Sequence, residues 1–182
     1  MKLTPLAIAD VVLIEPQVFG DERGCFFESF NQDRLDAQLG RRIRFVQDNH
    51  SCSRAGVLRG LHYQILHPQA KLVRVVAGEA YDVAVDLRRG SPTFGRWTGA
   101  YLSARNRHQL WIPEGFAHGF LALSDDTECL YKTTDYYAPE HERCVRWDDP
   151  QLKVDWPLQG RAPILSVKDR QGVALARADT YA

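Results

Sequence analysis

Lys71-Leu-Val-Arg-Val-Val-Ala-Gly-Glu-Ala-Tyr-Asp-Val-Ala-Val-Asp-Leu87 is the stretch that decides the fold. Within residues 79–87, Tyr81, Val83, Val85 and Leu87 fall on one side of an extended chain, and Asp82 and Asp86 on the other. A period of two is the pattern of a strand with one face buried. Residues 71–77 read as a second strand, with Gly78-Glu79 as a short hairpin turn between the two.

Working outward, similar short apolar runs occur at 11–15, 25–30, 45–50, 57–63, 97–103, 109–112, 117–123 and 127–133. Glycine, proline and aspartate separate them, and Asp125-Asp126 reads as a further hairpin turn. One early helix is expected over residues 32–39, with Asn31 as its N-cap and Gly40 as its stop. A second short helix is expected near 149–152 or in the C-terminal tail. Many short strands between turn residues imply an all-β sandwich or barrel, with a double-sheet jelly roll as the leading choice. There is no internal repeat or linker, so residues 1–182 read as one domain.

Composition removes several classes of function. Lysine plus arginine number 23, as do aspartate plus glutamate, which argues against a general nucleic-acid binder. No run approaches the roughly 20 apolar residues of a membrane span. The start is interrupted by Pro5, Asp10 and Glu15, so neither a signal peptide nor a membrane partner is expected. Cys25, Cys52, Cys129 and Cys144 are scattered and form no Cys-x-x-Cys pair. They read as free thiols in a reducing, cytoplasmic setting. Neither Cys25 nor Cys52 has an activating base beside it in sequence, so neither reads as a nucleophile.

Two clusters carry chemistry: Arg59-Gly-Leu-His-Tyr-Gln64 and Trp111-Ile-Pro-Glu-Gly-Phe-Ala-His-Gly-Phe120. Pro113, Gly115 and His118 resemble the second conserved box of cupins. A metal-binding cupin would want His-x-His in its first box, but the residue two after His62 is Gln64. Lys71 brings positive charge where further ligands would be wanted, so no metal site is expected. One histidine without its ligand set points to proton transfer at a carbon beside a ketone. Such chemistry needs a base, an acid on the opposite face and a cation for the enolate oxygen. His62 suits the base, Tyr131 the acid and Lys71 the cation. Asp169 is a candidate for the carboxylate that orients the imidazole, but nothing in the residues themselves brings positions so distant together. Lys71 shares parity with Val73 and Val75, so it projects among apolar residues. Strict alternation would separate Arg59 from His62; a bulge at Gly60 would reunite them. His50, His67, His108 and His141 read as peripheral.

These blocks stand in order with others: Phe-Gly-Asp-Glu-Arg-Gly-Cys-Phe-Phe-Glu at 19–28, Gln-Asp-Asn-His-Ser at 47–51 and Lys-Leu-Val-Arg at 71–74. Ser-Pro-Thr-Phe-Gly at 91–95, Tyr-Lys-Thr-Thr-Asp-Tyr-Tyr at 131–137 and Leu-Ser-Val-Lys-Asp at 165–169 complete the series. Together they resemble the dTDP-4-dehydrorhamnose 3,5-epimerase family over nearly the whole chain. The resemblance implies a cupin-type barrel, a dTDP-sugar substrate and no cofactor. It implies His62 as base supported by Asp169, Tyr131 as acid, Lys71 beside the sugar ketone and His118 in the same pocket. Arg23, Glu28, Gln47, Asp48, Asn49 and Arg59 are implied in thymidine and diphosphate binding, with Tyr137 on the thymine or the sugar and Glu142 and Lys168 completing the site. It also implies a homodimer with exchanged N-terminal strands, so that Arg23 and Glu28 serve either their own or the partner's site. Three other activities stay open: a single-centre epimerase, a ketoisomerase and a non-catalytic sugar-nucleotide binder.

Overall fold

The computed structural model describes residues 1–182. Its strands are β1 (Lys2–Pro5), β2 (Val12–Glu15), β3 (Val18–Asp21), β4 (Gly24–Phe27), β5 (Gln47–Ser53), β6 (Leu58–Gln64) and β7 (Lys71–Ala77). They continue as β8 (Glu79–Asp86), β9 (Trp97–Ser103), β10 (Gln109–Ile112), β11 (Phe116–Ala122), β12 (Thr127–Thr133) and β13 (Glu142–Cys144). Helices α1 (Gln32–Leu39) and α2 (Val167–Arg170) are short, and no helix is long and apolar enough to cross a membrane.

One sheet runs β1-β2-β10-β7-β12-β5 and the other β13-β6-β11-β8-β9, while β3 and β4 form a separate ribbon. The two large sheets face each other as a cupin-type jelly roll. Val73, Val75, Leu110 and Ile112 from the first meet Ala84, Leu102, Phe116 and Phe120 from the second. Each valine, leucine, isoleucine or phenylalanine among them, fully removed from water, contributes about 1.5–3 kcal/mol.

Residues 71–87 are two strands, as their pattern requires, but they do not form a hairpin. β7 pairs with β10 and β12, whereas β8 pairs with β11 and β9. Both flanks of each strand are thus occupied by other partners, and Gly78 is a corner at which the chain passes between sheets. Its φ is 69°, and an added Cβ would lie 2.4 Å from Ser124 Oγ. Asp125-Asp126 is likewise a corner between sheets, because β11 and β12 lie in different ones.

The half-buried expectation for residues 79–87 also needs correction. Val83, Val85 and Leu87 face away from the barrel and are covered by Leu152, Trp156, Leu175 and Ala178 of the C-terminal segment. The other face carries Ala80, Asp82 and Ala84, and Asp82 is fully buried. Alternation gave the two faces but not which one looks inward.

The cap expectations for α1 hold. The Asn31 side chain accepts from the Arg34 N–H, and Gly40 takes the left-handed conformation at φ 67°. Leu35 then packs with Ile14, Leu72 and Trp111 on the outside of the six-stranded sheet. Near residue 149 no helix forms. The Asp149 carboxylate instead accepts from the N–H groups of Gln151, Leu152 and Leu175, tying the tail to the barrel. The tail itself supplies the second short helix, α2.

Candidate active site

Gly60 places the site. The pairing of β6 with β11 matches His62 to His118 and Arg59 to Phe120, with a register shift between them. Gly60 has φ 122°, and a Cβ there would lie 2.6 Å from Gly119 Cα and 2.8 Å from the His118 carbonyl oxygen. No other residue fits that approach without displacing backbone. The irregularity lets Arg59 and His62 line one cavity of about 640 Å³, a size that suits a small organic ligand. Arg59 is steadied by Ser53 Oγ and the Cys52 carbonyl, each 3.1 Å away.

His62 Nε2 lies 2.7 Å from Asp169 Oδ1, off the axis of an aligned ring N–H hydrogen bond. Asp169 is buried in the single turn of α2, where it and Ser166 form a reciprocal capping box. Its carboxylate accepts from the Gly60 N–H at 3.1 Å and the Ser166 hydroxyl at 2.5 Å. Burial pushes the Asp169 carboxyl up, but His62, Ser166 and the Gly60 N–H outweigh it and hold the group at about 2. The sequence thus brings a carboxylate from position 169 to the imidazole of position 62, fixed in its anionic form.

A second histidine–aspartate pair lies deeper. His118 Nε2 is 2.9 Å from Asp82 Oδ2, and both residues are buried. Burial pushes His118 down despite Asp82, favouring the neutral ring.

Lys71 and Tyr131 come from the facing sheet, on β7 and β12. Lys71 is only 8% exposed. Burial lowers its ammonium from 10.5 to about 8, against the attraction of Asp82 and Glu142. Burial raises the Tyr131 phenol, which therefore keeps its proton. The His118 and Tyr131 ring centroids are 6.4 Å apart. Imidazoles thus occupy one wall of the cavity, and an ammonium and a phenol the other.

Gln47, Asn49, Tyr137, Glu142 and Lys168 complete the lining. Tyr137 Oη donates to Glu142 Oε2 at 2.6 Å, Glu142 pairs with Lys168, and Gln47 accepts from the Tyr137 N–H. Three expected residues lie elsewhere in this chain. On β5 the side chains of Gln47, Asn49 and Ser51 reach the cavity, whereas Asp48 lies on the other face and meets Lys132 Nζ at 3.0 Å. Arg23 sits on the turn of the β3–β4 ribbon beside Asp21. Glu28 meets Arg34 and Asn31, 3.0 Å from each.

Sequence reasoning missed Asp82, Ser51, Gln64, Gln69 and Ser166. Asp82 had a signal, its parity with the small Ala80 and Ala84. Gln64, where a metal cupin would carry its second histidine, is buried and committed to the backbone. It donates to the His67 and Tyr136 carbonyls and accepts from the Ala138 N–H, fixing the loops at the rim. The one group of metal-capable donors around the cavity is His62, Cys144 and Asp169.

Comparison with known proteins gives this geometry a context. The family model described as dTDP-4-dehydrorhamnose 3,5-epimerase matches residues 5–177. A dTDP-4-dehydrorhamnose 3,5-epimerase of Pseudomonas aeruginosa is 65% identical, over 100% of this chain and 99% of the relative. A dTDP-6-deoxy-D-glucose-3,5-epimerase from Legionella pneumophila, solved in complex with dTDP-4-keto-L-rhamnose, is 53% identical with a TM-score of 0.94, over 98% of this chain and 94% of that one. A 3'-monoepimerase from Streptomyces bikiniensis, solved with dTDP-quinovose, is 36% identical with a TM-score of 0.88, over 94% and 87% of the two chains.

Proposed function

This chain belongs to the dTDP-4-dehydrorhamnose 3,5-epimerase family, and from that premise we propose that it inverts C3 and C5 of dTDP-4-keto-6-deoxy-D-glucose to give dTDP-4-keto-L-rhamnose. The observation that carries the chemistry is the division of the cavity. His62 and Asp169 stand on one side, Tyr131 and Lys71 on the other.

His62 removes the proton from the carbon beside the ketone, and the anionic Asp169 stabilises the imidazolium that results. The electron pair moves onto the ketone oxygen as an enolate. Lys71, largely cationic at neutral pH with its group at about 8, offsets that charge. Tyr131 keeps its proton in the resting site and delivers it to the opposite face of the carbon, which inverts the centre. The tyrosinate and imidazolium then return to their starting states by exchange with solvent, and the same steps follow at the other flanking carbon. The stable charge of Asp169 and the protonated phenol of Tyr131 support this division of roles.

The nucleotide end belongs to Gln47, Asn49, Arg59 and Tyr137 at the rim, with the forked Arg59 guanidinium for the diphosphate. Arg23 and Glu28 are assigned to the partner's site in a homodimer. The ribbon that carries them exposes Phe19 and Phe26, at 56% and 72%, an apolar surface that favours an intermolecular contact. Mixing Arg23→Ala with His62→Asn protomers tests this. Sharing across the interface restores one intact site per mixed dimer, so activity returns; if each chain used its own Arg23, mixing would restore nothing.

NMR of the product formed in heavy water tests the reaction. Deuterium at both carbons flanking the ketone is expected, and His62→Asn should remove it while dTDP still binds. Label at one carbon only would make this a single-centre enzyme, the activity named for the Streptomyces bikiniensis relative. Near-native exchange in His62→Asn would overturn the base assignment.

A further inference from the structure

The mechanism leaves Cys144 without a task, yet this thiol stands beside the catalytic pair. β13 pairs with β6 so that Cys144 lies opposite His62. The donor atoms of His62, Cys144 and Asp169 all lie within 4.8 Å of one another. Two further observations mark the group as open to a ligand. His62 Nε2 is buried, and its one close polar neighbour, Asp169 Oδ1 at 2.7 Å, is itself a member of the group and not aligned with the ring N–H; Cys144 Sγ makes only a 3.5 Å contact with the Val145 carbonyl.

We propose that His62, Cys144 and Asp169 form an inhibitory site for a thiophilic divalent cation, with Zn²⁺ as the fitting ion. Imidazole nitrogen, thiolate sulfur and carboxylate oxygen are the donor types that Zn²⁺ takes in tetrahedral sites, at about 2.0–2.3 Å. Donors on one such ion are about 3.3–3.8 Å apart, so side-chain shifts of about 1 Å close the present set around it. His62 and Asp169 border the cavity, so the fourth position faces it and accepts water or a substrate oxygen. Binding forms a bond from the metal to each of nitrogen, sulfur and oxygen. It releases the thiol proton to solvent, together with the Nε2 proton when that nitrogen carries one. No electron changes hands. The ion then holds the two groups that the proposed mechanism needs for proton abstraction, so occupancy and turnover exclude each other. This proposal rests on the epimerase mechanism only for its inhibitory effect, because metal binding is read independently.

The test uses the full-length protein after EDTA treatment, titrated with Zn²⁺ for activity and with Co²⁺ for spectroscopy. Zn²⁺ should suppress turnover, and excess EDTA should restore it. Co²⁺ should give a sulfur-to-cobalt charge-transfer band at one ion per chain. Cys144→Ala and Cys144→Ser should turn over within about twofold of the parent, since Cys144 is not among the residues that line the cavity. Both should lose the band and need at least about tenfold more Zn²⁺ for half-inhibition. Cys25→Ser and Cys52→Ser, which change the two exposed thiols, should keep the band. A band that survives Cys144→Ala, or equal Zn²⁺ sensitivity in parent and variant, would overturn the site. If the chain proved inactive on the proposed substrate, the Co²⁺ band and its loss with Cys144 would still decide the metal site.

Discussion

Replacing Lys71 by methionine should stabilise the protein while disabling it, and the structure sets the size of the first effect. The side chain is 8% exposed, and its ammonium falls from 10.5 to about 8, burial being the largest cause. That fall already includes the opposing attractions of Asp82 and Glu142. At 1.36 kcal/mol per tenfold, it corresponds to about 3 kcal/mol of destabilisation from holding the charge in the folded state. Methionine has nearly the same length and volume but carries no charge, so Lys71→Met should gain up to about 3 kcal/mol at pH 7. The sign with pH follows from linkage. Between about 8 and 10.5 the unfolded chain binds the lysine proton and the folded chain does not, so the parent gains stability as pH rises through that window. The advantage of Lys71→Met should therefore be full below about pH 8 and vanish near 10.5. Urea titrations of both proteins at pH 7 and across pH 8–10 measure it, every other titrating group being common to the two. Turnover should fall about 10²-fold or more, as when a group that stabilises an oxyanion is removed. Equal stability at pH 7, or a gap that does not narrow above pH 8, would refute the view that a buried charge is kept here for function at a cost in stability.

Other expectations are more local. Gly60→Ala should cost about 3 kcal/mol or more, because it forces a Cβ onto the Gly119 backbone at a positive φ; thermal melting reads it. Tyr131→Phe should still exchange the substrate proton with deuterium in recovered starting material but form little inverted product, which NMR distinguishes. Asp48→Ala should leave KM within about twofold, as the loss of an exposed ion pair with Lys132 does. Asn49→Ala, one position along the same strand, should raise KM.

How far the sequence could carry the structure depends on the range of each interaction. Local signals were legible. Asn31 and Gly40 bracket α1 because capping is decided within a few residues, and alternation in β8 with short apolar runs between turn residues elsewhere found β7 to β12 with small boundary errors. The turn at Gly78 was not, because a two-residue connection between strands looks the same whether they pair or pass to facing sheets. Only the partners, β10 and β12 on one side and β9 and β11 on the other, separate the cases. The inward face of β8 was hidden for a similar reason. The layer that covers Val83 and Val85 comes from residues 152–178, so the richer apolar face turned outward. At the site, parity was reliable wherever the strand was regular. It placed Lys71 in the cavity, whereas Tyr131 was named for its chemistry, and applied to β5 it would have turned Asp48 away from this cavity. It failed only at Gly60, where the bulge itself was the signal. The union of His62 with Asp169 lay beyond any pattern in the residues and came from the family resemblance.

The division of the site between two sheets gives a physical reason for this chemistry to occupy this fold. Facing sheets in a jelly roll stand about 10 Å apart, enough for a sugar ring between side chains from each wall. Groups on opposite walls address opposite faces of such a ring without any motion of the backbone. The difficulty is charge: the interior holds Lys71, and transiently an imidazolium, where desolvation opposes both. Two buried carboxylates offset this, Asp169 against His62 and Asp82 against His118 and Lys71. Asp82 therefore does more than hold the His118 ring, because without it the Lys71 ammonium would lose its proton more readily. A neutral amine could not balance an enolate. The acid that alternation placed on the other face from Val83 and Val85 thus acts with Glu142 to hold up the charge of the cation on the opposite sheet.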